Sequence, residues 1–138
     1  MHSNDPGYTD PAMAVIRHYD PETYRAIAAD DGWNVSTGDS PASEEADATT
    51  EALPLPRDKR DTVLDPAEIE RDADYIGIPA ADYEASVLVH EYKHHIDGYV
   101  EEIPAYLESM RFDRRLPSYD QAILRYDQQA LRDEETRS

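Results

Sequence analysis

His90, Glu91 and His94 form an H-E-x-x-H pattern, His90-Glu91-Tyr92-Lys93-His94, preceded by the apolar run Val87-Leu88-Val89. Residues four apart share one face of a helix, so both imidazoles can reach a single Zn2+. Glu91 lies about a hundred degrees round the same helix, where its carboxylate can reach a water on that ion. Zinc brings the pKa of such a water from about 15.7 towards 7, and a carboxylate then takes its proton as it attacks a carbonyl. Amide hydrolysis is the reaction this arrangement suits.

A catalytic zinc needs a third protein ligand and leaves its fourth position to water, whereas a structural zinc is usually closed by four protein ligands. The next helix offers candidates, because Glu101-Glu102-Ile103-Pro104-Ala105-Tyr106 begins just past Gly98. Residues 83–112 resemble the gluzincin branch of the zincin metallopeptidases, in which H-E-x-x-H supplies two ligands and a Glu on the following helix the third. Some toxin-type members carry that Glu in an E-x-x-A-aromatic setting, with an Asp three residues after the second His. Glu102-Ile103-Pro104-Ala105-Tyr106 and Asp97 match both features. The resemblance implies His90, His94 and Glu102 as zinc ligands and Glu91 as general base. It also implies a zinc-dependent metallopeptidase acting on a peptide or protein.

Only seven residues separate His94 from Glu102, fewer than gluzincins usually insert, so residues 81–115 must form a tight metal-binding helical hairpin. At 1.5 Å per residue the mid-height of the two histidines lies about 9 Å below the turn, a level that an antiparallel partner reaches near residue 108. Glu108 is therefore a geometric rival to Glu102, and Glu101, on the same face as Glu108, is a weaker one. Asp97 falls near the His90/His94 face and can orient an imidazole, or else is a surface charge at a helix C-terminus. His95 points about a hundred degrees from His94 and is expected to be packed or solvated. An oxyanion donor is wanted too, and Tyr99, Tyr106, Tyr119 and Tyr126 are candidates. His2 and His18 lack any partner pattern and are expected at the surface.

Helix signals place these residues. Asp20-Pro21 opens a short helix whose Tyr24, Ile27 and Ala28 face inward, and Gly32 ends it by position. Asp65-Pro66-Ala67-Glu68 is a capping box announcing a helix to about Ala73. Tyr75-Ile76-Gly77-Ile78-Pro79 reads as an extended link. The motif helix runs from about Ala81 to Asp97 and stops at Gly98. Pro104, tolerated only in a first turn, starts the next helix near Glu102, running to about Arg115. Ser118 with Gln121 caps a last amphipathic helix, and a polar tail follows from Asp133. Turn formers fill Asn4 to Pro11. Short strands are expected at Trp33–Ser36, Leu53–Leu55 and Thr62–Leu64. Residues 38–60 form an acidic low-complexity segment, a solvated loop by composition. The fold expected is a small, mainly helical α+β domain of zincin type with a few short strands, spanning residues 1–138.

The chain has 138 residues, with 31 Asp+Glu against 13 Lys+Arg and no Cys, a formal net charge of −18. Such a charge repels phosphate, which excludes nucleic acid and anionic membrane as natural partners. No apolar run approaches the roughly 20 residues of a membrane span, so no membrane insertion is expected. Met1 to Pro6 has neither the basic start nor the apolar stretch of a secretory signal, which points to a cytoplasmic protein. Few lysines (Lys59 and Lys93) among dense carboxylates resemble proteins of salt-loving archaea or of their viruses. The alternative function follows from that composition: a structural or assembly protein, such as a virion component, with a structural or idle metal site. Neighbouring molecules would then hold segment 38–60 in place.

Overall fold

The computed structural model describes residues 1–40 and 46–137. Among them six α-helices and a four-stranded sheet form an α+β architecture in which helix predominates. The helices are α1 (Pro6–Tyr19), α2 (Pro21–Ala29), α3 (Pro66–Ile76), α4 (Ala80–Asp97), α5 (Glu102–Asp113) and α6 (Gln121–Arg137). The strands are β1 (His2–Ser3), β2 (Asn34–Thr37), β3 (Ala48–Thr50) and β4 (Thr62–Leu64), in the order β1-β2-β4-β3. β1, β2 and β4 run parallel, with Val35 opposite Thr62, and β3 pairs antiparallel to β4, with Thr50 opposite Thr62.

Local capping accounts for several of these boundaries. The carboxylates of Asp20 and Asp65 accept from the backbone N–H groups of Thr23 and Glu68, and a proline follows each cap. Gly77 ends α3 and Gly98 ends α4 in the left-handed conformation, φ 88° and 72°. α3 thus runs on through Tyr75 and Ile76, residues that the sequence reads as a link, because the glycine that can adopt this stop comes only at 77.

Other elements depart from the sequence reading. The turn formers Asn4 to Pro11 largely enter α1: Pro6 sits in its first turn, where its missing N–H is not needed, and Thr9, Ala12 and Ile16 bury one face. Burial of that face outweighs the hydrogen bond lost at Pro11. Leu53–Leu55 is not a strand; Pro54 and Pro56 cannot donate to a ladder, and Leu53 is exposed. The strand lies instead at Ala48–Thr50, within the segment whose composition suggests a loop, and a 3-10 turn follows at Arg57–Lys59. Pro41, Ser43, Glu44 and Glu45 of that segment lie outside the described residues. Asp120, not Ser118, caps α6 by accepting from the Ile123 N–H at 3.0 Å, and the Ser118 hydroxyl donates to Asp82. α6 continues past Asp133 to Arg137, held by side-chain pairs such as Gln129 with Asp133.

α4 runs through the centre, against α1, α3, α5 and β3. Its Ala85 and Leu88 are fully buried in a core shared with Ile16, Ile27, Trp33, Leu64, Ile69 and Phe112. Glu84 is enclosed in the same helix, 3% exposed, with Oε2 lacking any hydrogen-bond partner. Burial, and then the nearby charge of Asp5, pushes its carboxyl up to about 8. A folded value above the ordinary one means that the fold keeps a proton which the unfolded chain releases. The stability this proton confers is complete below the ordinary carboxyl range and disappears as pH climbs to about 8. Glu84→Gln cannot ionise. Its melting temperature is expected to match the parent's near pH 5 and to exceed it by about 5 °C above pH 8; melting curves that stay parallel across that range would show that Glu84 is not the group lost.

Candidate metal centre

The C-terminal end of α4 is fixed from outside the helix. Arg60 is buried, and its Nη1 donates to the carbonyl oxygens of His95 at 2.9 Å and Ile96 at 3.3 Å, satisfying acceptors that a helix end leaves open. A Cβ on Gly98 would lie 2.5 Å from that guanidinium and would have to displace it, while the left-handed backbone angle favours glycine there on its own account. Beyond Gly98 the chain doubles back along the helix, and the Tyr99 carbonyl accepts from His94 Nδ1 at 2.8 Å. α5 consequently begins level with His94.

This reversal decides which acid reaches the imidazoles. Glu102 Oε2 lies 2.8 Å from His90 Nε2, and its Oε1 lies 3.2 Å from His94 Nε2. Tyr106, one turn on, packs edge-on against the His90 ring at 4.9 Å between centroids. Glu108 pairs with Arg111 instead, at 3.3 Å. Residue 108 would stand level with the histidines only if the turn added height, whereas the connection descends, with Tyr99 already back beside His94. Glu101 is an exposed cap residue of α5. Asp97 pairs with Lys93 at 3.3 Å, and the Tyr99 carbonyl takes the part of orienting His94. His95 faces away from the centre, as its spacing requires. It is fully buried against Trp33 and Tyr92, with Nδ1 3.0 Å from the Arg60 carbonyl and Nε2 3.4 Å from Asp30. His2 and His18 lie at the surface.

His94 Nε2 supplies a test of whether zinc suits these residues. It is enclosed, and although Glu102 is close, the two are not aligned for a hydrogen bond, so the atom has no hydrogen-bond partner. With Nδ1 engaged by Tyr99, Nε2 is the ring atom turned to the carboxylate, and in the neutral imidazole it would carry the lone pair that a metal needs. Tetrahedral zinc ligands at 2.0–2.1 Å stand about 3.3 Å apart; the 3.2 Å between His94 Nε2 and Glu102 matches that spacing, while the 2.8 Å between His90 Nε2 and Glu102 is a hydrogen bond that an ion would replace. The donor atoms of His90, Glu91 and His94 also lie within 4.8 Å of one another. Charge argues the same way. Burial opposes the imidazolium of His94, yet Glu102 and Glu91 hold its pKa up to about 9; burial likewise opposes ionisation of Glu102, yet the two histidines hold it down at about 2. The acids draw positive charge to this point, which protonated His94 supplies and a bound cation would supply in its place; two imidazoles and a carboxylate are donor types that zinc takes.

Glu91 is separately held. It is 5% exposed, and burial raises its pKa. Thr50 Oγ1 donates to its Oε2 at 3.1 Å, the Thr50 and Thr62 hydroxyls meet at 2.6 Å, and Trp33 Nε1 donates to Thr62 at 2.8 Å. Indole can only donate, so Thr62 passes its own proton towards Thr50, and the chain points at the Glu91 carboxylate. Nothing local in the sequence signals this chain, whose members are brought together from the residue before β2, from β3 and β4, and from α4.

A cavity of about 580 Å³ opens beside the centre between β3, α4, α5 and α6, and His90, Glu91, Glu102 and Tyr106 form part of its wall. Tyr119 and Tyr126 line it as well, while Tyr99 is an exposed residue of the turn. On α5 the lining residues Glu102, Tyr106, Ser109 and Asp113 recur at helical spacing, a polar stripe visible in the sequence but unread there. Compared with models of protein families, with curated proteins and with solved structures, the chain matches none. Among the described residues no helix is long and apolar enough to cross a membrane.

Proposed function

We propose that the protein is a zinc-dependent peptidase in which His90, His94 and Glu102 hold the metal. The observation that carries this reading is the convergence of two imidazole Nε2 atoms on one carboxylate at the wall of a cavity, with a second carboxylate held apart by Thr50. Bound zinc would supply a Lewis acid that activates water and polarises the scissile carbonyl.

The chain's own residues do the rest. Glu91 Oε1, the oxygen not engaged by Thr50, accepts a proton from the attacking water. Burial raises its basicity, which suits a general base. The water oxygen joins the carbonyl carbon, the C–N bond breaks, and Glu91 returns the proton to the departing amine. Tyr106 is kept neutral, its pKa pushed up to about 12 by burial and then by Glu102, so its hydroxyl can donate to the carbonyl oxygen as charge develops there. The substrate main chain has a template in β3. Asp65 donates to the Asp47 carbonyl and Glu51 to that of Asp61, so the alternating ladder turns the backbone groups of Ala48 and Thr50 outwards. No described strand covers that edge, and an extended peptide can pair with it.

The test is zinc content together with turnover. Purified protein is expected to hold about one zinc per chain, to cleave unstructured peptides, to stop when a chelator removes the metal, and to recover when zinc returns. A zinc-bearing protein that cleaves nothing, with Glu91 occupying the fourth position, would instead support the assembly reading with a closed structural site. Thr50→Val is expected to leave zinc content unchanged and to lower kcat/KM by about tenfold, through a less well-oriented Glu91. Equal kcat/KM in that variant would remove the hydroxyl chain from the mechanism.

A further inference from the structure

The cavity has a second polar end. Asp113 of α5 is 2% exposed, and its Oδ1 is enclosed without a hydrogen-bond partner. Its carboxyl meets Asp127 of α6 and the Ser86 hydroxyl of α4, and Asp127 Oδ2 is enclosed and unpartnered too. Burial first, and then Asp127, pushes Asp113 up to about 10, and burial also raises Asp127 despite its hydrogen bond with Asp113 and the charge of Arg114. Two acids pressed together out of water are stable only with a proton between them or a cation beside them. The cavity they line supplies little positive charge: its described basic residues are His90 and Arg137, and Arg137 is paired with Glu134.

A metal ion fits this end poorly. Among the described residues no group of three His, Cys, Asp or Glu donors close enough to hold an ion includes Asp113 or Asp127. A cation on a stem fits better. Ser86 stands one turn of α4 before His90, about 6 Å along the axis, which is the span of a three- or four-methylene side chain. The same cavity is lined by Val87, Tyr119 and Tyr126, surfaces on which such a stem can pack.

We propose that this end of the cavity recognises a lysine or arginine side chain of a peptide substrate, with its cation held by Asp113 and Asp127. The proposal rests on the peptidase reading for its orientation towards His90, and the two fail separately. Binding is measured with zinc-loaded Glu91→Gln protein and pairs of peptides that differ at one residue, arginine against citrulline and lysine against norleucine. The basic member is expected to bind 10- to 100-fold more tightly. The preference should persist in 1 M salt, where the Debye length is about 3 Å and general attraction to an acidic protein is gone. Asp127→Asn and Asp113→Asn are expected to shrink the preference to about twofold. The peptide pairs test the parent pocket even where a variant fails to fold.

Equal binding of both members, or a preference that vanishes with salt, would overturn the proposal and leave Asp113 and Asp127 as a pair sharing a proton. A persistent preference without any hydrolysis by the parent protein would sink the peptidase reading alone. Hydrolysis indifferent to the basic residue would sink this proposal alone.

Discussion

Glu91→Gln is expected to lower peptide hydrolysis by ~10² or more while leaving zinc bound. The amide keeps the shape of the side chain and can still accept from Thr50, but it cannot take a proton from water. The two functions of the H-E-x-x-H segment are thereby separated: His90 and His94 converge on Glu102, and Glu91 is fixed from the sheet side. Metal analysis beside peptide turnover reads both at once. Undiminished turnover would remove Glu91 from the chemistry, and loss of zinc would make it a ligand.

The second large effect concerns the carboxylate that completes the centre. Glu102→Gln is expected to weaken zinc binding by ~10² or more, because one of the three proposed ligands becomes a neutral amide and the negative charge facing both imidazoles is lost. Glu108→Gln should bind zinc as the parent does, since Glu108 is engaged with Arg111 rather than with a histidine. Zinc titration against a competing chelator distinguishes the pair. The reverse pattern would mean that the hairpin crosses at a different level and that the descent of residues 98–101 is not what it is found to be. His94→Ala should resemble Glu102→Gln, with the added loss of the Nδ1 contact that ties the turn to the helix.

Both predictions depend on a register of only a few residues. Glu102 meets both histidines and Tyr106, one turn on, packs against His90, so the first turn of α5 lies over the two imidazoles. A hairpin with a rising turn would have put residue 108 there. Arg60 contributes from a distant part of the chain: it closes the end of α4 and presses against Gly98, where any larger residue would strike the guanidinium.

Elements set by neighbouring residues were legible in the sequence. The capping carboxylates of Asp20 and Asp65, the prolines after them and the stop at Gly98 act over one turn, so local spacing contains the information. The mainly helical α+β class follows from the same signals. α1 and β3 were not legible, because their local propensities argue against them: Pro6, Gly7 and Pro11 enter a helix whose buried face stabilises it, and Ala48–Thr50 becomes a strand by pairing with β4.

The same division runs through the candidate centre. His90, Glu91 and His94 share one helix, and the sequence alone determines that two imidazoles stand a turn apart with an acid beside them. Choosing Glu102 over Glu108, hanging Glu91 on Thr50, Thr62 and Trp33, and closing Asp113 against Asp127 were left to the tertiary structure. The reason is physical: helical spacing fixes positions within a helix, but the level at which one helix meets another depends on the path of the intervening chain and on the packing that holds it.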